Sequence, residues 1–139
     1  MKLLYIALFL AMAIPLPSCK KYIQKQEENA VLQVMTTGVW YVQEYLQNDT
    51  DITATFSGYL FKFDANGTVT GTAGSLIVNG TWAADINNYT ITADFPTVGA
   101  PLKELNETWK ITDSYTNFVV ANSKDTTQNT SNILQLQKQ

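Results

Sequence analysis

Gly58-Tyr59-Leu60-Phe61-Lys62-Phe63-Asp64-Ala65-Asn66-Gly67-Thr68-Val69-Thr70-Gly71-Thr72-Ala73 decides the fold of this chain. Tyr59, Phe61 and Phe63 alternate with Leu60 and Lys62. A period of two puts successive side chains on opposite faces of a strand. Asp64-Ala65-Asn66-Gly67 then breaks the pattern, and Gly67 can take the positive φ that a tight turn requires. Beyond it Val69, Gly71 and Ala73 alternate with threonines. The stretch predicts a β-hairpin with one apolar and one polar face.

The same pattern continues outward. Asp85-Ile86-Asn87-Asn88 is a turn, after which Tyr89, Ile91, Ala93 and Phe95 alternate with Thr90, Thr92 and Asp94. Asn79-Gly80 stands just before Trp82 and predicts a bulge rather than a hairpin tip. Beyond the loop from Pro96 to Pro101, Leu105, Glu107, Trp109 and Ile111 alternate with Thr108, Lys110 and Thr112. Phe118 to Ala121 is a continuous apolar run, and Leu134 and Leu136 alternate with Gln135 and Gln137. Eight strands are expected, at about 39–47, 56–64, 67–73, 77–84, 88–95, 103–112, 116–122 and 132–138. Short links in chain order predict an all-β fold, an eight-stranded antiparallel up-and-down β-barrel. Closing the sheet buries the apolar face and removes unpaired edges. An open sandwich is the alternative, but no long Greek-key crossover is visible.

Ahead of the barrel, residues 24–36 predict a short helix, with Ala30, Val31, Val34 and Met35 on one stripe. Thr36-Thr37-Gly38 stops it. The stripe suits either a partner or the end of the following domain, and a lid on that domain is the preferred reading.

The chain opens with Lys2, an uncharged apolar run from Leu3 to Ile14, and Leu16-Pro17-Ser18-Cys19. The run is shorter than the ~20 residues of a spanning helix and has the flanks of a secretory signal peptide. Its end resembles the bacterial lipobox, which implies cleavage before Cys19 and acylation of the Cys19 thiol and amine. Cys19 is the only cysteine, and a bare thiol is a liability in an oxidising compartment. The expected organisation is a signal peptide at 1–18, a lipidated tether at 19–29 and the barrel at 30–139. Lys20, Lys21 and Lys25 group beside the lipid, where they meet anionic headgroups or form a solvated linker. In lipoproteins of the kind this lipobox resembles, acidic residues soon after the cysteine mark export to the surface. Here Lys20-Lys21-Tyr22 follow and Glu27-Glu28 come late, so the resemblance implies an outer-membrane anchor facing the periplasm.

Composition narrows the chemistry. There are 9 basic residues, all lysines, against 12 acidic ones, and no histidine. No basic cluster lies within the barrel segment, so nucleic-acid binding is excluded. Without histidine, and with its cysteine committed to lipid, the chain has no Ser-His or Cys-His pair and lacks the usual ligands of zinc, copper and iron. No metal, cofactor or catalytic residue is expected, and the protein is read as a non-enzyme. Asp49-Thr50-Asp51 lacks the rest of a calcium loop and reads as a polar hairpin.

Gly38-Val39-Trp40 opens the first strand after a helix, as the Gly-x-Trp signature does in lipocalins. With the run from Gly58 to Val69, Gly80-Thr81-Trp82, the strand around Trp109, and Leu134 with Leu136, the chain resembles lipocalin-like domains of Bacteroidetes-type lipoproteins over about residues 30–138. The resemblance implies a barrel with Trp40 near its closed end, packed under the helix. It also implies binding of a small apolar or amphipathic ligand, in a monomer. Two departures stand out: no arginine is present to stack on Trp40, and the domain is shorter than most ligand-carrying lipocalins.

Alternation points Trp40, Tyr59, Phe61, Phe63, Trp82, Tyr89, Phe95, Trp109 and Phe118 inward, as a pocket lining or a filled core. Tyr59, Phe61, Trp82, Tyr89 and Trp109 are the candidate ligand contacts. Glu44 and Glu107 share the phase of Trp40 and Trp109, and are candidates for polar contacts at the mouth unless a bulge turns them to solvent. The competing expectation is a filled scaffold whose loops bind or inhibit an envelope protein partner. Asp125-Thr126-Thr127 resembles the Bacteroidetes O-glycosylation motif, with Thr126 as acceptor.

Overall fold

The computed structural model describes residues 18–96, 98–125 and 129–139; all of the expected signal peptide except Ser18, and Thr126, lie outside the described residues. Helix α1 (Ser18–Thr36) precedes β1 (Trp40–Gln47), β2 (Thr50–Asp51), β3 (Leu60–Phe63), β4 (Thr68–Ala73), β5 (Leu76–Asp85), β6 (Thr90–Asp94), β7 (Thr108–Ser114), β8 (Phe118–Asp125) and β9 (Thr130–Lys138). Each strand from β3 onward pairs antiparallel with the next, and β9 returns to β1, from Trp40 opposite Lys138 to Gln47 opposite Asn132. The expected eight-stranded barrel is therefore closed.

β2 is an additional stub rather than a stave. It folds back on β1 through Asn48 and Asp49, at φ 48° and 65°. Two successive positive φ angles give the turn that matches strand twist. This is the polar hairpin expected of Asp49-Thr50-Asp51. The stub has a structural use, because β1 and β3 pair only at Trp40 opposite Phe61. Farther along β1, Tyr45 N donates to Thr53 Oγ1 at 2.8 Å and Ile52 N donates to Tyr45 O at 2.9 Å. The segment after β2 thus covers what is otherwise an open edge.

Three expectations need correction. α1 spans Ser18–Thr36 and not only residues 24–36, so residues 20–28 are helical. That run is rich in Lys, Gln and Glu and has no Gly or Pro, so it propagates a helix readily. The strands expected at 56–64 and 103–112 are shorter, because 3-10 turns occupy Thr53–Phe56 and Leu102–Leu105. Asn79-Gly80 is not a bulge, since β5 runs through it with Gly80 opposite Val69. A Cβ at Gly80 would collide with Asp94 O and meet the Phe95 ring at 2.8 Å. The glycine makes room for an aromatic ring in the barrel interior.

The core is the inward face of the strands, with Trp40, Phe61, Phe63, Val69, Phe95 and Trp109 all buried. α1 lies over the end at which β1 begins and β9 finishes. Its apolar stripe is half-buried at Val31 and Val34 and fully buried at Met35. The lid expectation holds.

Candidate functional site

The lid is held by its last turn. Gly38 takes φ 82° and swings the chain from α1 into β1, a conformation that a glycine adopts without steric cost. The Trp40 indole N–H donates to Met35 O at 2.9 Å. Lys138 Nζ sits 4.9 Å from the centroid of the Trp40 ring, a cation–π contact. The chain has no arginine for this place, and the lysine from the end of β9 fills it. Trp40 therefore sits under the helix, as the resemblance implied, but at the end that carries an apolar groove and not at the end packed shut.

Between α1 and the rim made by β6, β7 and β8 runs an apolar groove of about 290 Å³, lined among others by Val31, Val34, Ile91, Ile111, Tyr115 and Val119. Tyr115 is 63% exposed at its lip and its ring lies 4.8 Å from Phe118. Below the groove, inside the barrel, is a cavity of about 40 Å³ whose lining, from Phe61 and Phe95 to Trp109 and Leu134, is apolar throughout. Met35, Ile91 and Val119 line both spaces. They form the partition between groove and interior.

The opposite end is packed shut by Phe56, Leu102 and Leu105 from the two 3-10 turns, all buried. Tyr45 stacks on Phe56 at 5.4 Å and meets Trp109 edge-on at 5.7 Å. Its hydroxyl donates to Glu104 O at 2.7 Å. Burial, then the carboxylates of Glu107 and Glu104, push the Tyr45 phenol well above its ordinary range. Nearby, Asn132 Nδ2 donates to Glu107 Oε1 at 2.8 Å and to Ser123 Oγ at 3.3 Å. Asn132 Oδ1 is buried with no hydrogen-bond partner among the described residues. Gln47 Nε2 donates to Glu104 Oε2 at 2.8 Å.

The structure divides the candidate contacts. Phe61 and Trp109 line the cavity. Tyr59 is half-buried and stacks on Phe61 at 6.2 Å. Trp82 is buried elsewhere in the core, edge-on to Phe63 at 5.4 Å, with its N–H donating to Asp64 O at 2.9 Å. Tyr89 does not face inward: it is 54% exposed. Its φ of 53° ends the turn one residue before β6 and breaks the alternation, and Lys110 Nζ lies 5.8 Å from its ring centroid. Phe118 also turns outward, because Val119 and Ala121 take the interior positions. Glu44 does not face inward either. A register shift between Val42 and Glu44 sets Tyr45 opposite the inward Leu134 and Glu44 opposite Gln135. Glu107 keeps the expected phase and reaches Asn132. The two glutamates are therefore not a pair. Among the described residues, no group of three or more His, Cys, Asp or Glu side chains is placed to hold a metal ion.

The residues at the mouth that sequence reading passed over are Ile91, Ile111, Tyr115 and Val119. Their signal was present, as apolar residues at the strand ends, but alternation alone does not say which barrel end a helix covers.

No family model matches the chain. No curated protein matches it. Its fold is that of a solved bacterial barrel. A DUF4847 family protein from Bacteroides vulgatus superposes with a TM-score of 0.55 at 17% identity, over 78% of this chain and 99% of that one. At that identity the likeness speaks for the fold alone. A second solved structure, a point mutant of LTBP1 in complex with leukotriene C4, aligns with a TM-score of 0.45 and 13% identity over 77% of this chain and 69% of that one.

Proposed function

We propose that this barrel is a non-enzymatic, lipid-anchored envelope protein that binds one small apolar or amphipathic molecule under its lid. The observation that carries the reading is the groove of about 290 Å³ between α1 and the barrel rim, at the lower edge of the ~300–1,000 Å³ usual for small-molecule sites. Its walls are largely apolar, it opens to solvent, and it adjoins the interior cavity. This moves the expected ligand site from the inward-facing aromatic residues of the barrel to its mouth. Non-enzymatic binding fits the separation of Glu44 from Glu107, which dissolves the carboxylate pair that strand alternation suggested.

The anchor rests on Leu16-Pro17-Ser18-Cys19. Acyl chains on Cys19 hold the monomer to the outer membrane on its periplasmic side, with the barrel in water. Cys19→Ser is expected to move the protein from the membrane to the soluble fraction of its host.

The test of ligand binding is native mass spectrometry of the domain from Lys20 onward, exported in its own host and purified gently. The expected result is a stoichiometric adduct that leaves on denaturation. A bare apo mass, even after incubation with host lipid extract, overturns the reading.

A second reading has its own support. The interior cavity of about 40 Å³ leaves a nearly filled barrel, and Leu76 and Ile77 are 48% and 65% exposed beside the β4–β5 turn. A scaffold that binds or inhibits a protein partner uses such a surface. In-cell cross-linking from position 77 is expected to trap that partner if this reading holds.

A further inference from the structure

We infer that Met35 is a gate, and that the ligand under the lid is a single unbranched hydrocarbon chain with an uncharged, hydrogen-bonding head. This rests on the ligand-binding reading above and specifies it.

The partition between groove and cavity consists of Met35, Ile91 and Val119. Ile and Val are β-branched and stiff at χ1. Methionine is unbranched, with rotatable bonds that let it re-pack. Met35 also belongs to the last turn of α1, whereas Ile91 and Val119 are fixed in hydrogen-bonded strands. Of the three, Met35 is the side chain that can swing aside. Its backbone need not follow, because Met35 O is held by the Trp40 indole N–H. The gate is a rotamer change under a fixed lid.

When Met35 turns toward the groove, the space it leaves joins the cavity beneath. That channel is narrow, and its lining among the described residues carries no polar side chain. A polar group entering it loses its hydration without a partner. A branched or ring-shaped ligand is wider than the methionine it displaces. A methylene chain has the girth of the Met35 side chain and follows the same path.

The head is specified by the other wall. Among the described residues, the polar side chains lining the groove are Ser114, Tyr115 and Thr116, and none of the lining side chains is charged. Hydroxyls donate and accept equally well. They suit an alcohol, ester or amide. A carboxylate or phosphate finds no cation among these lining residues to offset its desolvation.

The test compares monolaurin, laurate and monocaprylin on the whole domain, by isothermal titration below their micelle concentrations. Wild type is expected to bind monolaurin about tenfold more tightly than either laurate or the shorter monocaprylin. Met35→Ile, stiff and of similar volume, is expected to lose about tenfold for monolaurin and little for monocaprylin, while Met35→Leu stays near wild type. The chain-length comparison on wild type stands even if Met35→Ile folds poorly. Equal affinity for the two chain lengths, or unchanged binding by folded Met35→Ile, overturns the gate. Laurate binding as tightly as monolaurin overturns the neutral head. If none of the three binds while native mass spectrometry still finds an adduct, this inference fails and the ligand-binding reading survives. If neither experiment finds a ligand, both fail.

Discussion

Two residues show how little space this barrel has to spare. At Gly80 an alanine methyl collides with Asp94 O and the Phe95 ring. Asp94 O is strand backbone and Phe95 is 2% exposed, so neither moves away cheaply. Gly80→Ala is expected to cost about 1–3 kcal/mol by overpacking, read as a lower urea midpoint with an unchanged slope. At Asn132, position in the barrel wall and charge act together. The side chain is 1% exposed and gives Nδ2 hydrogen bonds to Glu107 and Ser123. Asn132→Asp sets a second carboxylate against Glu107 and removes the donor. It is expected to destabilise by about 3 kcal/mol or more at neutral pH, and to recover part of that as acidification protonates one of the two carboxyls. A deficit that stays constant between pH 7 and pH 4 would mean that the two groups do not interact.

At the scale of elements, the lid is the part whose attachment can be weighed. Trp40 ties α1 to the barrel with an indole N–H to Met35 O, and Lys138 stacks on its outer side. Trp40→Phe keeps most of the apolar area but leaves a carbonyl unpaired at the end of α1. The expected loss is about 1–3 kcal/mol. Hydrogen exchange checks where it falls: the amides of the last turns of α1 lose more protection than those of β8 and β9. Most elements were legible in the chain because alternation is a local signal, and a strand with one wet face must display it. The hairpin β3–β4, the turn at Asp85 and the apolar stripe of α1 all lay in plain view. What stayed hidden depends on register between strands. Gln43 and Glu44 are both polar, so the shift that turns Glu44 outward left no trace in the pattern. Glu107, the residue just before β7, keeps the phase of Trp109. Yet it lies beside Asn132 and Tyr45 at the end packed shut and not at the mouth, and alternation does not tell the two ends apart. The groove was illegible for a related reason: Ile91, Ile111 and Val119 look like any core residues until the covering helix is placed.

At the scale of the whole molecule, Tyr45 links alkaline stability to the closure of the barrel end opposite the lid. It joins β1 to the 3-10 turn carrying Phe56 and to Trp109 on β7, and its hydroxyl donates to Glu104 O. Ionising it there means placing a phenolate in the core beside two carboxylates, which is why its pKa stands above the ordinary value. The unfolded chain offers no such resistance and releases the proton near pH 10, at about the value of a free tyrosine. Below about pH 10 both states hold the proton, and the group contributes no slope. Above it the unfolded state binds fewer protons than the folded one, so stability falls as pH rises, by about 1.4 kcal/mol per pH unit for this one group. Tyr45→Phe removes the proton and with it that slope. It also loses a hydrogen bond, so it starts about 1 kcal/mol less stable near neutrality. The two profiles therefore converge as pH climbs past about 10. Urea unfolding of both proteins at intervals between about pH 8 and pH 11 reads the difference directly, because lysines and exposed tyrosines titrate alike in the two. Parallel profiles would mean that the phenol reaches water without unfolding, and that this end of the barrel opens more easily than its packing implies.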